Sequence, residues 1–249
     1  MSPEAHWRTA LPLPRTGSIV VLTGAGISAE SGLATFRGAG GLWEGHRAEE
    51  VATPEAFARD PALVHRFYNM RRRQLADPAI QPNAAHRALA RLARAWRGGC
   101  LLVTQNVDDL HERAGSHDVV HLHGELRRVR CTACSEERLW LRDLEAKTPC
   151  PACGTFGGLR PAIVWFGEMP LHMERITAAL QSCALFLAIG TSGLVYPAAG
   201  FVALVRDRGR AHTIELNLEP SAVRSDFAEA RHGPAGTTVP ALVDELLAL

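Results

Sequence analysis

No apolar run in this 249-residue chain approaches the ~20 residues that cross a bilayer. The leading stretch, MSPEAHWRTALPLPRTG, holds no uninterrupted apolar segment of the kind a secretory leader uses. The expectation is therefore a soluble cytoplasmic protein with no membrane partner. An excess of charge of one sign is also missing, since 27 basic residues face 26 acidic ones for a net charge of +1. No global field then draws nucleic acid or an anionic surface, and either partner would need a local patch. Internal repeats and low-complexity tracts are absent, and lysine is almost so, Lys147 being the only one. What is present is a 47% hydrophobic composition, which disfavours disorder and supplies a sizeable core for one large domain or a large domain carrying a smaller insert. The six cysteines, in a chain read as cytoplasmic, suit metal ligands or buried thiols better than disulfides.

Six short β-branched or aliphatic runs, at 18–23, 100–105, 118–123, 162–167, 184–190 and 212–217, read as buried parallel strands. Helical patterns at 84–97 and 171–182 lie between them, which predicts an α/β fold with a doubly wound, Rossmann-like parallel sheet. Two segments interrupt the alternation, a helical one over 42–76 and one over 124–160 that carries four cysteines. Ligands of open α/β sheets bind outside the carboxyl ends of the strands. The stretches at the carboxyl ends of these runs are Gly-rich, polar or titratable: GAGISAESG, TQNVDD, HGE, GTS and NLE.

In the first of these loops Gly24, Gly26 and Gly32 give G-x-G with the third glycine too late for the dinucleotide fingerprint. The loop fits either close approach to a pyrophosphate or a tight strand-to-helix turn. No acidic residue stands about 20 positions on, where a dehydrogenase holds its ribose. The spacing Cys131-x2-Cys134 and Cys150-x2-Cys153, fifteen residues apart, matches a four-thiolate zinc site, with disulfides or a redox pair as alternatives. Four thiolates fill the tetrahedron and leave no open position, so such a zinc is structural. Cys100 and Cys183 read as buried small apolar residues. His123 ends an apolar run directly before Gly124, where it could serve as a general base or merely cap its strand.

The segment FYNMRRR sits in a well-marked helix, with Asp60 able to cap its start, Pro61 in the first turn and Asp77-Pro78 at its end. At ~100° per residue, Val64, Phe67, Tyr68, Arg71 and Leu75 fall on one stripe. Arg71 thus lies on the apolar face, while Arg72 at the stripe's edge and Arg73 opposite read as solvated. An inward guanidinium needs an acceptor: an internal carboxylate, a snorkelling path, or a ligand.

Taken together, GAGISAESGLATFRG (24–38), TQNVDDLHERAG (104–115), HLHGEL (121–126), the cysteine quartet, VWFGE (164–168), GTSGLVYPAA (190–199) and NLEPS (217–221) resemble the sirtuin family of NAD-dependent protein deacylases, in the family's order. The resemblance implies a discontinuous NAD-binding domain (1–41, 77–123 and 161–249) and a small domain made of a helical module (42–76) and a zinc-ribbon module (124–160). It implies that Gly24, Ala25, Gly26, Ile27, Ser28, Glu30, Thr35, Phe36, Arg37 and Trp43 surround NAD, with Gln105, Asn106, Asp108 and His123 at the nicotinamide and its ribose. Gly190, Thr191 and Ser192 would line the phosphate side, Asn217, Leu218 and Glu219 the adenosine, and Ala235 would cap the adenine.

His123 matches the family's general base, which takes a proton from the ribose after the acyl oxygen has displaced nicotinamide. Val164, Phe166, Gly167 and Glu168 match its substrate segment. The products implied are nicotinamide, the free lysine and 2′-O-acyl-ADP-ribose. Tyr68 and Arg71 are similar to the acyl-pocket pair of class III sirtuins, which remove succinyl, malonyl or glutaryl groups. NAD as co-substrate, one structural zinc and acylated lysines as partners come with the same likeness. The alternatives are a plain deacetylase, a mono-ADP-ribosyltransferase, and a zinc-ribbon nucleic-acid module. The last is disfavoured because 124–160 carries seven Lys/Arg against five Asp/Glu and lacks interleaved aromatics.

Overall fold

A computed structural model describes residues 16–34, 42–43, 46–209 and 211–249, with only the backbone at 42–43. In chain order its strands are Ile19–Thr23 (β1), Leu42–Trp43 (β2), His46–Arg47 (β3), Cys100–Thr104 (β4), Val120–His121 (β5), Gly124–Cys131 (β6), Glu137–Leu139 (β7), Leu159–Ile163 (β8), Leu185–Ile189 (β9), His212–Asn217 (β10) and Glu229–His232 (β11). Six of them form one sheet in the order β11-β10-β9-β1-β4-β5, with every pairing parallel. β1, β4 and β9 are covered on both faces, which is why they read as largely apolar runs. Ile19 and Val21 of β1 point into a core shared with the helices Ala84–Ala95 and Ala235–Ala248. Val20 and Leu22 point into the opposite core, against Met173–Ser182 and Phe201–Asp207.

The chain leaves β1 toward β4 and β5 on one side and later returns to β9, β10 and β11 on the other. The order therefore reverses between β1 and β9, which opens a crevice at their carboxyl ends. Register keeps those ends level, Thr23 standing beside Thr104 on one side and Ile189 on the other.

The remaining strands lie outside this sheet. Short helices Ala48–Val51 and Pro54–Arg59 precede Pro61–Leu75. Thr53 caps the second, its hydroxyl accepting from the Ala56 amide at 3.0 Å, and Asp60 caps the third, accepting from the Leu63 amide at 2.9 Å. Val64, Phe67, Tyr68 and Leu75 pack there with Leu126, Ile163 and Trp165. β6 pairs antiparallel with β7 and with β8 in a three-stranded sheet. No helix of the described residues is long and apolar enough to cross a membrane.

Two expectations need correction, and one strand was not anticipated. The run at 162–167 is not a strand of the parallel sheet; the strand there is β8, which returns antiparallel along β6, and apolar content cannot distinguish the two kinds of burial. Of 118–123 only Val120–His121 is extended enough to pair, and Asp118 has φ 58°. β11, with sequence EARH, carries no apolar run because it is an edge strand.

Candidate active site

The loops after β1, β4, β5, β9 and β10 converge on one cleft of about 1340 Å³. That exceeds the roughly 300–1,000 Å³ of a site for one drug-sized ligand, and leaves room for a dinucleotide with a second substrate. Its floor is two crossing backbones. A Cβ on Gly26 would lie 2.7 Å from the Gly190 Cα, and one on Gly24 would lie 2.7 Å from the Gly190 carbonyl oxygen. The contact is stitched by Gly24 N–H to Ile189 O and Gly26 N–H to Gly190 O, each at 2.9 Å. The glycines after β1 thus serve a close backbone approach, and the segment beyond them is a 3-10 turn, Ala25–Ser31.

The loop after β4 anchors the loop after β1. Asn106 donates to Gly24 O at 3.1 Å and to the Ser28 hydroxyl at 3.2 Å, and Ser28 donates to Asp108 Oδ2 at 3.0 Å. Burial raises the Asp108 pKa, opposed by the bonds from the Leu110 amide and Ser28. At the other end Asn217 donates to the Thr191 carbonyl at 2.7 Å, tying β10 to the loop after β9. Glu30 accepts from the Gly236 amide at 2.8 Å, which brings the first turn of the C-terminal helix, with Ala235, to the cleft.

His123 lines the same cleft. Its Nδ1 is 3.1 Å from the Gln105 carbonyl oxygen. A carbonyl only accepts, so Nδ1 carries the proton and Nε2 presents a lone pair. Burial lowers the His123 pKa below its ordinary 6.5, against the Gln105 bond that raises it, and the ring is neutral at neutral pH.

The helix Pro61–Leu75 supplies the opposite wall with Tyr68 and Arg71, 1% and 8% exposed. Tyr68 accepts a hydrogen bond from the Trp165 indole at 2.9 Å, and burial, the largest effect on it, raises its pKa and keeps the phenol protonated. Arg72 is a correction: it is 3% exposed rather than solvated. Its guanidinium donates to the Leu126 carbonyl at 3.2 Å, to Asn69 Oδ1 at 2.8 Å and to the Arg142 carbonyl at 3.4 Å. Arg73 is exposed as expected, 3.5 Å from Asp143.

Val164, Phe166 and Gly167 line the cleft between these walls. Glu168 also lines it, but its carboxylate is engaged by Arg160 at 2.6 and 2.9 Å, by Arg130 at 3.3 Å and by the Trp165 amide at 2.8 Å. These bonds hold the segment 164–168 in place. Ile27 does not line the cleft, because its side chain is fully buried in the core beneath the loop. Thr35, Phe36, Arg37 and the Trp43 side chain lie outside the described residues. Trp165 is absent from the expected set. The signal was its indole N–H, which in a buried apolar run must find an acceptor.

Away from the cleft, Cys131, Cys134, Cys150 and Cys153 bring their sulfurs within 4.8 Å of one another, the one such cluster among the described residues. The pairs Cys131–Cys153 and Cys134–Cys150 stand 3.8 Å apart, too far for a disulfide. A tetrahedron with Zn–S bonds of about 2.3 Å has edges of about 3.8 Å, so the four thiolates fit a structural zinc with no open position.

A family profile described as Sir2 family matches residues 24–197. A curated NAD-dependent protein deacylase of Bdellovibrio bacteriovorus is 58% identical over 230 residues, 92% of this chain and 97% of that protein. A solved Sir2 homologue in complex with NAD superposes with a TM-score of 0.83 at 42% identity, over 92% of this chain and 89% of that one. Another, Sir2Af2 bound to a myristoylated histone peptide, gives 0.71 at 32% identity, over 92% and 90%.

Proposed function

This chain belongs to the Sir2 family, and we propose that, as an NAD-dependent protein deacylase, it removes succinyl and malonyl groups as well as acetyl groups from lysine side chains of proteins. NAD is placed along the Gly24–Gly26 and Gly190–Ser192 edges, with its adenosine toward Asn217–Glu219 and Ala235 and its nicotinamide ribose toward Asn106 and His123. The helical module over 42–76 and the zinc ribbon over 124–160 form one small domain in this reading, and the acyl-lysine enters between it and the sheet. The unbridged cysteines suit the reducing cytoplasm.

His123 takes a proton at Nε2, with Gln105 holding the ring through Nδ1. The bond from Nδ1 stabilises the imidazolium that results, so one backbone carbonyl fixes both tautomer and orientation.

The observation that carries the acyl assignment is Arg71. It lines the same cleft as His123, three residues from Tyr68 on the same helix. A guanidinium and a phenol on one wall suit a terminal carboxylate, which accepts a bidentate pair and a third donor. An acetyl group fits the same channel without meeting them.

The test is to mix the protein with NAD and a succinyl-lysine peptide and to measure nicotinamide and O-succinyl-ADP-ribose. Release no faster than without peptide would sink the reading. Arg71→Met should lower desuccinylation by ~10–150-fold, the worth of a charge-assisted bond, and deacetylation far less. Equal losses would assign Arg71 to the fold.

A further inference from the structure

Trp165 is 2% exposed and is held from two sides. Its indole Nε1–H donates to the Tyr68 hydroxyl oxygen at 2.9 Å. Its ring face carries the Arg160 guanidinium, whose central carbon lies 3.3 Å from the ring centroid. Arg160, itself 4% exposed, donates to both Glu168 oxygens, at 2.6 and 2.9 Å, and to the Ile163 carbonyl at 2.8 Å. The Trp165 backbone amide donates to the same carboxylate at 2.8 Å. Indole, cation and carboxylate therefore close on one another, and the ring has little freedom to turn.

An indole N–H only donates, so in its bond with Trp165 the Tyr68 oxygen is the acceptor and the phenol hydrogen is directed elsewhere. A phenylalanine at 165 would keep an aromatic face for Arg160, at some loss of volume, and would leave that oxygen without this donor. We propose that Trp165 is a specificity-determining positioning residue: its N–H fixes the Tyr68 hydroxyl as a donor toward the distal end of the acyl chain, on the wall that Arg71 shares. Arg160 and Glu168 act through it by locking the indole. The proposal rests on the dicarboxylyl reading above, since a short acyl chain would gain little from an oriented hydroxyl so far along the channel.

Steady-state kinetics with paired succinyl- and acetyl-lysine peptides test it, for the wild type, Trp165→Phe, Tyr68→Phe and the double variant. W165F should lower kcat/KM for the succinyl peptide about tenfold, the upper end for one neutral hydrogen bond, with the loss in KM rather than kcat. The acetyl peptide should lose by a clearly smaller factor, and its turnover reports that the variant is folded. In the Y68F background W165F should cost little more, because the hydroxyl to be oriented is gone. Equal losses on both peptides, a loss in kcat alone, or full additivity in the cycle would overturn the proposal. Should W165F not fold, Y68F alone must show the selective loss, and an unaltered preference there overturns it equally. A wild type with no succinyl activity would fell both this proposal and the acyl reading, whereas a wild-type preference that survives in W165F fells this proposal alone.

Discussion

Gly190→Ala should both destabilise the protein and weaken NAD binding, and the two effects have one geometric origin. Gly190 has φ +63°, and a Cβ there would stand 2.4 Å from the Ile27 nitrogen, 2.7 Å from the Gly26 carbonyl carbon and 2.8 Å from the Gly26 Cα. All three are backbone atoms, so no rotamer change relieves the overlap; the two strand-end loops must part. The left-handed conformation costs an alanine about 1–2 kcal/mol. Overpacking of a close contact adds about 1–3 kcal/mol. At ~2–4 °C per kcal/mol for a domain of this size, the melting temperature should fall by roughly 4–20 °C.

Gly209 supplies the control. It has the same φ of +63° with nothing within 4 Å of its Cβ position, so Gly209→Ala carries the conformational cost without the clash. Thermal denaturation with and without NAD, and initial rates against NAD concentration, measure both consequences. G190A should melt well below G209A and show a raised KM for NAD, while G209A keeps the wild-type KM. If G190A melts with G209A and binds NAD normally, the crossing of these two loops does not shape the site.

The geometry carries two further outcomes. His123 works as a neutral base and burial lowers its pKa, so kcat/KM should be full at neutral pH and fall as the pH drops through an inflection below 6.5. His123→Ala should lower kcat by roughly 10²–10⁴-fold and abolish that acid limb; a limb that persists would assign it to another group. Metal analysis should find about one zinc per chain, and a strong chelator should lower the melting temperature, since a structural zinc contributes its binding free energy to folding. A metal-free preparation that melts unchanged would refute the assignment.

Much of the core sheet was legible in the sequence, for a physical reason. β1, β4 and β9 are covered on both faces, and burial on both faces writes a continuous apolar run. The caps of the helix Pro61–Leu75 are local too, as Asp60 reaches an amide only three residues on. Cysteine spacing shows because ligation constrains short loops. The edge strand β11 shows no such mark, since one neighbour and part exposure select no composition. The run at 162–167 was apolar for a second reason, packing against the Pro61–Leu75 helix.

The sequence by itself determined the parallel sheet, the polar loops at its carboxyl edge, the zinc ligands and the inward face that carries Tyr68 and Arg71. Each of these is a periodicity or a spacing, set by contacts that recur along the chain. Only the tertiary structure decided that Arg71 lines the cleft while Arg72 is buried against backbone carbonyls. Arg72 finds its acceptors in backbone carbonyls 54 and 70 residues away, and every residue has a carbonyl, so no side-chain pattern announces them. Likewise Glu168 looked available until Arg160 closed on it, and Trp165 became part of the site only when the fold carried its N–H to Tyr68, 97 residues distant.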